Sequence, residues 1–265
     1  MKLTPNRFAW IFLTILLAAM GWGGYIAWKV LQHPADTILS LENEMKFGGM
    51  LSEQILQQHG EDAVIHDPYA DSCMQALHQR LLGALQGSKY QYHLTLLKGN
   101  EPNAFAIPGG NVFVYSGLIK FCKSPEEVAA VLAHEMGHVE KRHTVNQIIK
   151  QAGVGAILSY LGDGGTSQQL SSELINGFFS REDEAEADDF ALLLLEKANI
   201  KPVMLGQVFS RMKDEHGDME GVMNLLSTHP ELEQRSAKSS SYVTSANFQE
   251  IPIAMDWAKL QQMLP

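Results

Sequence analysis

Apolar and polar positions divide the chain into an unbroken apolar run near its start and a patterned remainder. Phe8 to Trp28 carries no charge, with Lys2 and Arg7 before it and Lys29 after it. A run of about 20 apolar residues is long enough to cross a bilayer, so it predicts an N-terminal transmembrane helix. A cleaved signal peptide has a shorter apolar core of about 7–15 residues, although Ala18-Ala19-Met20-Gly21 offers a cleavage region for that alternative. The basic amino end predicts a cytoplasmic start. The rest of the chain would then lie across the membrane, in a bacterial periplasm. Past the run, the spacing of apolar residues predicts helices near 36–59 and 71–86, a small sheet near 90–115, and helices over 125–147 and 180–197. Further helices are expected near 202–213, 230–240 and 253–263. The predicted class is mainly α (α+β), with residues 1–31 as anchor or signal segment and 32–265 as one folded domain.

The helix from 125 is the best marked. Ser124 can serve as N-cap, Pro125 fits the first helical position, and Glu127 completes a capping box. Val128, Val131, Leu132 and Met136 recur at helical spacing and predict a buried helix. On that helix stand His134-Glu135-Met136-Gly137-His138, the pattern HExxH. An α-helix turns about 100° per residue, so two histidines four apart share a face and can share a metal ion. Glu135, beside them, is placed as a general base for a hydrolytic water. A buried histidine without a partner is costly, and a zinc ion would supply one for both.

Catalytic zinc usually takes a third protein ligand. His143, five residues after His138, lies about 140° from it around a continuous helix, so it is expected at the surface or behind the site rather than in it. Lys141 and Thr144 occupy the positions where the HExxHxxGxxH pattern needs Gly and His, which excludes that class. The acidic run Ser180–Asp189 leads into Phe190-Ala191-Leu192-Leu193-Leu194-Leu195, so it predicts a second, largely buried helix. A carboxylate from that helix would complete a His-His-Glu site, but spacing leaves Glu182, Glu184 and Glu186 open.

At this point the chain resembles a known superfamily. Ser180-Arg181 followed by Glu184 and by Ala187-Asp188 is similar to the second motif of the membrane-associated gluzincin metallopeptidases, which include the HtpX, CAAX prenyl and Oma-type proteases. The stretch Asn103–Leu118 resembles their NAFALPGG…V…GL segment, and Thr228-His229-Pro230 with Arg235 resembles their THPxxxxR segment. The resemblance covers roughly residues 90–240 and is nearest to the compact, single-anchor Oma-like type. It implies a zincin-like helical domain with a small sheet beside the HExxH helix. One zinc ion per chain would be held by His134, His138 and Glu184. Glu135 is implied as catalytic base, Asp188 as a carboxylate orienting a ligand or handling protons, and His229 as an oxyanion donor or occupant of the open metal position. Arg235 is expected to pair with Asp188 or Glu186. The implied activity is zinc-dependent endoproteolysis of misfolded or membrane-associated envelope proteins. A zinc-stabilised chaperone or assembly factor with latent activity is the alternative.

Ala104–Ile107 and Val112–Tyr115 read as two strands joined by Pro-Gly-Gly-Asn, a hairpin; the resemblance implies that the strand near the HExxH helix offers an edge to which an extended polypeptide substrate could add. Residues 151–179 are rich in glycine and read as a connector or a lid over the cleft.

Composition narrows the partners. The first 31 residues hold three basic groups and no acids, so the remaining 17 basic and 30 acidic residues give the domain a net charge of −13. An acidic domain argues against nucleic acid and against broad docking on anionic lipid. Membrane contact is therefore expected through the N-terminal segment alone. Cys73 and Cys122 lie in no CxxC pair, which excludes a cysteine zinc site, and in an oxidising compartment they could form one disulfide.

Overall fold

A computed structural model describes residues 5–32, 35, 39–163, 179–214, 229 and 231–265. Helix α1 (Pro5–Gln32) comes first, followed by α2 (Leu41–His59) and α3 (Pro68–Ala84). Strands β1 (His93–Leu97), β2 (Ala104–Ile107) and β3 (Asn111–Tyr115) form a sheet in the order β1-β3-β2. The expected hairpin is β2–β3, antiparallel, while β1 runs parallel to β3. After the short α4 (Ser116–Phe121) come α5 (Pro125–Glu140), α6 (His143–Ala152) and α7 (Val154–Asp163). The chain is described again through α8 (Arg181–Lys197), α9 (Val203–Asp214), α10 (Leu232–Ser240) and α11 (Trp257–Met263). The mainly helical class with one small sheet therefore holds.

The sheet is buried on both faces, and its side chains alternate between two cores as a period of two requires. Ala104, Ala106, Val112 and Val114 join the larger core with α3, α5, α8 and α9. Phe105, Ile107 and Phe113 join the smaller one with α2, α6 and α7. Phe105 and Phe113, directly opposite in the ladder, stack at 5.0 Å between centroids. The sheet is thus the middle layer, and β2 is its edge on the α5 side.

Three local expectations are corrected. The helix that carries HExxH is not continuous to 147. It stops at Glu140 and restarts at His143, with Arg142 in the left-handed region at φ 59°. An arginine is strained there, and buried groups hold it: its Nε and Nη2 donate to Glu44 at 2.8 Å, and Nη2 also donates to the Leu39 carbonyl at 2.7 Å. Ser124 is the N-cap residue but makes no side-chain cap. Glu127 accepts the Lys123 N–H at 2.7 Å instead and pairs with Arg211. Cys73 and Cys122 are both buried free thiols, and burial raises both above the usual thiol range.

The transmembrane expectation does not carry over. No helix among the described residues is long and apolar enough to cross a membrane. What α1 does present is a set of described side chains, residues 10–25, that are all exposed, Trp10, Phe12, Ile15 and Trp22 among them. Of the glycine-rich connector, residues 164–178 lie outside the described residues, as do Thr228 and Pro230.

Candidate metal centre

Two helices built for burial bring the site together. Every residue of α5 from Glu127 to Val139 is buried. It crosses α8 at Gly137, where a Cβ would stand 2.9 Å from the Ala187 carbonyl oxygen and 3.0 Å from the Ala187 Cα. Only the lack of a side chain at Gly137 allows this approach. α8 begins with a full capping box, in which Asp183 receives the N–H and hydroxyl of Ser180 and the Ser180 hydroxyl accepts the Asp183 N–H. That fixes the first turn, and Glu184 and Asp188, one turn apart, face α5.

Four buried residues then converge: His134, His138, Glu184 and His229 each offer a donor atom, all within 4.8 Å of one another. His134 Nε2 and His138 Nε2 lie 3.1 Å apart. Glu184 Oε1 is 3.2 Å from His138 Nε2, and Oε2 is 3.6 Å from His134 Nε2. His229 Nδ1 approaches Glu184 Oε1 to 2.8 Å and His134 Nε2 to 3.4 Å. Zinc bonds of about 2.0–2.2 Å at tetrahedral angles put ligand atoms roughly 3.3 Å apart, and these separations scatter about that value. The donor set of imidazoles and one carboxylate suits zinc. Charge agrees as well. Glu135, Glu184 and Asp188 are three buried carboxylates against the single buried guanidinium of Arg235. The excess negative charge is what a divalent cation would neutralise.

Spacing left Glu182, Glu184 and Glu186 of the acidic run open, and the structure separates them, with Glu182 exposed. Glu184 is buried in the cluster. Glu186 is half-exposed and lies 3.7 Å from Lys141. Asp188 sits behind His134, its Oδ1 3.0 Å from Nδ1. Such a contact keeps the proton on Nδ1 and leaves Nε2 free to face the cluster. Arg235 grips Asp188 with two hydrogen bonds of 2.8 Å, reaches Glu184 with Nη1, and lies over the Phe209 ring at 4.2 Å. Of its two expected partners it takes Asp188 and not Glu186. Glu135 Oε2 accepts the N–H of Ala106 on the edge strand at 3.0 Å. Its Oε1 lies 3.9 Å from His229 Nε2.

Burial dominates the electrostatics. It lowers His134 and His138 below the usual histidine range, which favours the neutral, ligating form. It raises the Glu135 carboxyl, against the pull of His229 and His138. Burial would also raise Glu184 and Asp188. For Glu184, His229, His138 and Arg235 outweigh it, and for Asp188, Arg235 and His134 do, so both are held below the carboxylate range. His229 moves the other way: burial opposes its charge, but Glu184 and Glu135 raise it.

Two residues near the cluster were missed or half-read. Phe179 stacks on His138 at 3.8 Å between centroids, and nothing in the sequence marked it. His143 is buried against the same ring rather than at the surface, because the break at Arg142 rotates it back toward His138.

Comparison with known proteins agrees with this geometry. Residues 69–242 match Peptidase family M48. The chain is 29% identical over 258 residues to the mitochondrial metalloendopeptidase OMA1 of Schizosaccharomyces pombe, covering 91% of this chain and 74% of that one. It is 27% identical over 226 residues to the beta-barrel assembly-enhancing protease of Escherichia coli, covering 77% of this chain and 44% of that one. The OMA1 of Arabidopsis thaliana is 31% identical over 207 residues, 74% of this chain and 40% of its own length. The chain belongs to Peptidase family M48 and is a zinc-dependent metalloendopeptidase.

Proposed function

We propose that His134, His138 and Glu184 hold the zinc ion, that Glu135 is the general base, and that Asp188 keeps His134 in its ligating tautomer. The observation that carries this reading is the convergence of four buried donor atoms beside a carboxylate tied to an edge strand. When bound, zinc supplies Lewis-acid polarisation of the scissile carbonyl and of the hydrolytic water. Glu135 takes the proton from that water and delivers it to the leaving amine. Its burial, which raises the carboxyl above its ordinary range, suits a group that must both accept and release a proton. Because Ala106 turns its N–H toward Glu135, the outer edge of β2 faces the reacting centre. An extended substrate would pair with that edge through main-chain hydrogen bonds, so recognition would read backbone more than side chains.

His229 stands at the fourth direction of the cluster. Its closeness to Glu184 and His134 supports a resting state in which it occupies the position a substrate oxygen would take. Swung aside, it would be an oxyanion donor. This contact also favours, as a second reading, an assembly factor whose protease is kept latent. Residues 1–31 are proposed as the anchor and 32–265 as the peptidase domain. The exposed aromatic and aliphatic side chains of α1 support membrane attachment, since a bare apolar helix of this kind needs lipid or a partner. The substrates proposed are misfolded or membrane-associated proteins of a bacterial envelope, in a quality-control role.

Zinc content tests the ligand assignment. The full chain and Glu135→Gln should each bind one zinc ion, whereas His134→Ala, His138→Ala and Glu184→Ala should lose it at the same free zinc. Retention by Glu184→Ala would overturn the assignment of the third ligand.

A further inference from the structure

The outward nitrogens of the two histidines on α5 are served differently. His134 Nδ1 meets a carboxylate directly, that of Asp188. His138 Nδ1 meets another imidazole, His143 Nδ1, at 3.1 Å, with the rings 5.1 Å apart and inclined at 68°. Two ring nitrogens at that distance share one proton, so one donates and the other accepts. His138 Nε2 points into the donor cluster, 3.1 Å from His134 Nε2 and 3.2 Å from Glu184 Oε1. A neutral imidazole that ligates through Nε2 carries its proton on Nδ1. Among the described residues that proton meets His143 Nδ1, which must then be unprotonated, leaving the His143 proton on Nε2. Nε2 faces Asp183 Oδ1 at 3.5 Å and Glu186 Oε2 at 3.6 Å. These separations are those of ion pairs rather than hydrogen bonds, so one protonation pattern turns the His143 N–H toward the carboxylates and the His138 N–H toward His143.

We propose that His143 is a positioning residue for the metal ligand His138, relaying the orienting influence of Asp183 and Glu186 through a second imidazole. The inference rests on the assignment of His138 as a zinc ligand. Three features build the relay. The left-handed Arg142, clamped by Glu44, turns α6 so that His143 returns to the ring it would miss on a straight helix. Phe179 stacks on the other side of His138 and holds its plane. Asp183 divides its oxygens, Oδ2 closing the capping box of α8 and Oδ1 facing His143. The helix that supplies Glu184 thereby also steers His138 from behind, so both metal helices are registered through one contact.

The full chain is the material for the test. In the zinc-loaded wild type, nitrogen-15 spectra of the imidazoles should show His138 protonated on Nδ1 and His143 on Nε2. A His143 protonated on Nδ1 would overturn the relay without any variant being needed. His143→Leu removes the acceptor and strands the His138 N–H, so zinc affinity, read by competition with a chromophoric chelator, should fall about 10–100-fold. The absorption bands of the cobalt-substituted protein should shift with it. In His143→Gln the side-chain oxygen can accept from His138 while the amide donates to the carboxylates, so zinc affinity and cobalt bands should stay near wild type. Equal zinc affinity in Leu and wild type, or equal loss in Gln and Leu, would overturn the proposal. If the wild type keeps its zinc in either case, the ligand assignment survives. If His138→Ala also binds zinc as tightly as wild type, the assignment falls and the relay with it.

Discussion

At Glu135, burial and hydrogen bonding work in opposition. The protein interior lifts the carboxyl, and the Ala106 N–H together with the neighbouring histidines restrains the rise. Glu135→Gln keeps the shape and the acceptor oxygen but cannot take a proton. It should lower the rate of peptide cleavage by about 10²–10⁴-fold while zinc content stays unchanged. Arg235 is the buried guanidinium that faces Glu184 and Asp188. Arg235→Ala leaves those carboxylates without it, a change that typically costs 3–5 kcal/mol and should appear as a lower urea midpoint of the metal-free chain. Asp188 also sets an acid limit. Its folded pKa is depressed, so its contribution is fully present above the ordinary carboxylate range and is lost as pH falls through the folded value. The metal-free chain should therefore lose stability between about pH 5 and pH 2. Asp188→Asn should flatten that slope. Equal slopes for the two proteins would show that the pairing with Arg235 does not carry the effect.

Among the elements, the crossing of α5 and α8 decides whether the cluster's donor groups meet. A Cβ at Gly137 would strike the backbone at Ala187, which cannot rotate away. Gly137→Ala should cost about 1–3 kcal/mol as the helices part. Zinc affinity should fall too, because Glu184 moves with α8, and unchanged affinity would mean that the helices are not what sets the ligand distances. Much at this scale was legible in the sequence: HExxH placed two cluster donors and Glu135, Pro-Gly-Gly-Asn marked the hairpin, and Ser180 opened α8. The rest depends on tertiary contacts that no local pattern encodes. The helix break at Arg142 is held by Glu44, nearly a hundred residues earlier in the chain. Spacing alone could not choose Glu184 over Glu182 and Glu186; the resemblance named Glu184, and the facing helix shows why that one is buried, while the parallel pairing of β1 with β3 needed the sheet. Glu127 bypasses Ser124 because Arg211, from α9, draws its carboxylate elsewhere.

For the whole molecule, the four-donor cluster lies where α5, α8 and His229, just ahead of α10, meet beside the sheet edge, so a zinc ion held there would tie several elements into one unit. Ligand that binds only the folded state stabilises by about 2.7 kcal/mol at a hundredfold excess over Kd, so chelation should lower the thermal midpoint by several degrees. The exposed apolar side chains of α1 set the second expectation at this scale. The full chain should remain in the membrane pellet after alkaline carbonate extraction, and its release would count against anchoring by residues 1–31. The net charge of −13 beyond them argues against broad docking of the remainder on anionic lipid. Zinc-dependent endoproteolysis driven by Glu135 can be read in one assay. An unfolded polypeptide is incubated with the purified full chain, with Glu135→Gln, and with the wild type after chelation and again after zinc is restored. Internal cleavage is expected from the untreated and the zinc-restored wild type alone. Cleavage by Glu135→Gln at the wild-type rate, or cleavage that survives removal of the metal, would contradict it.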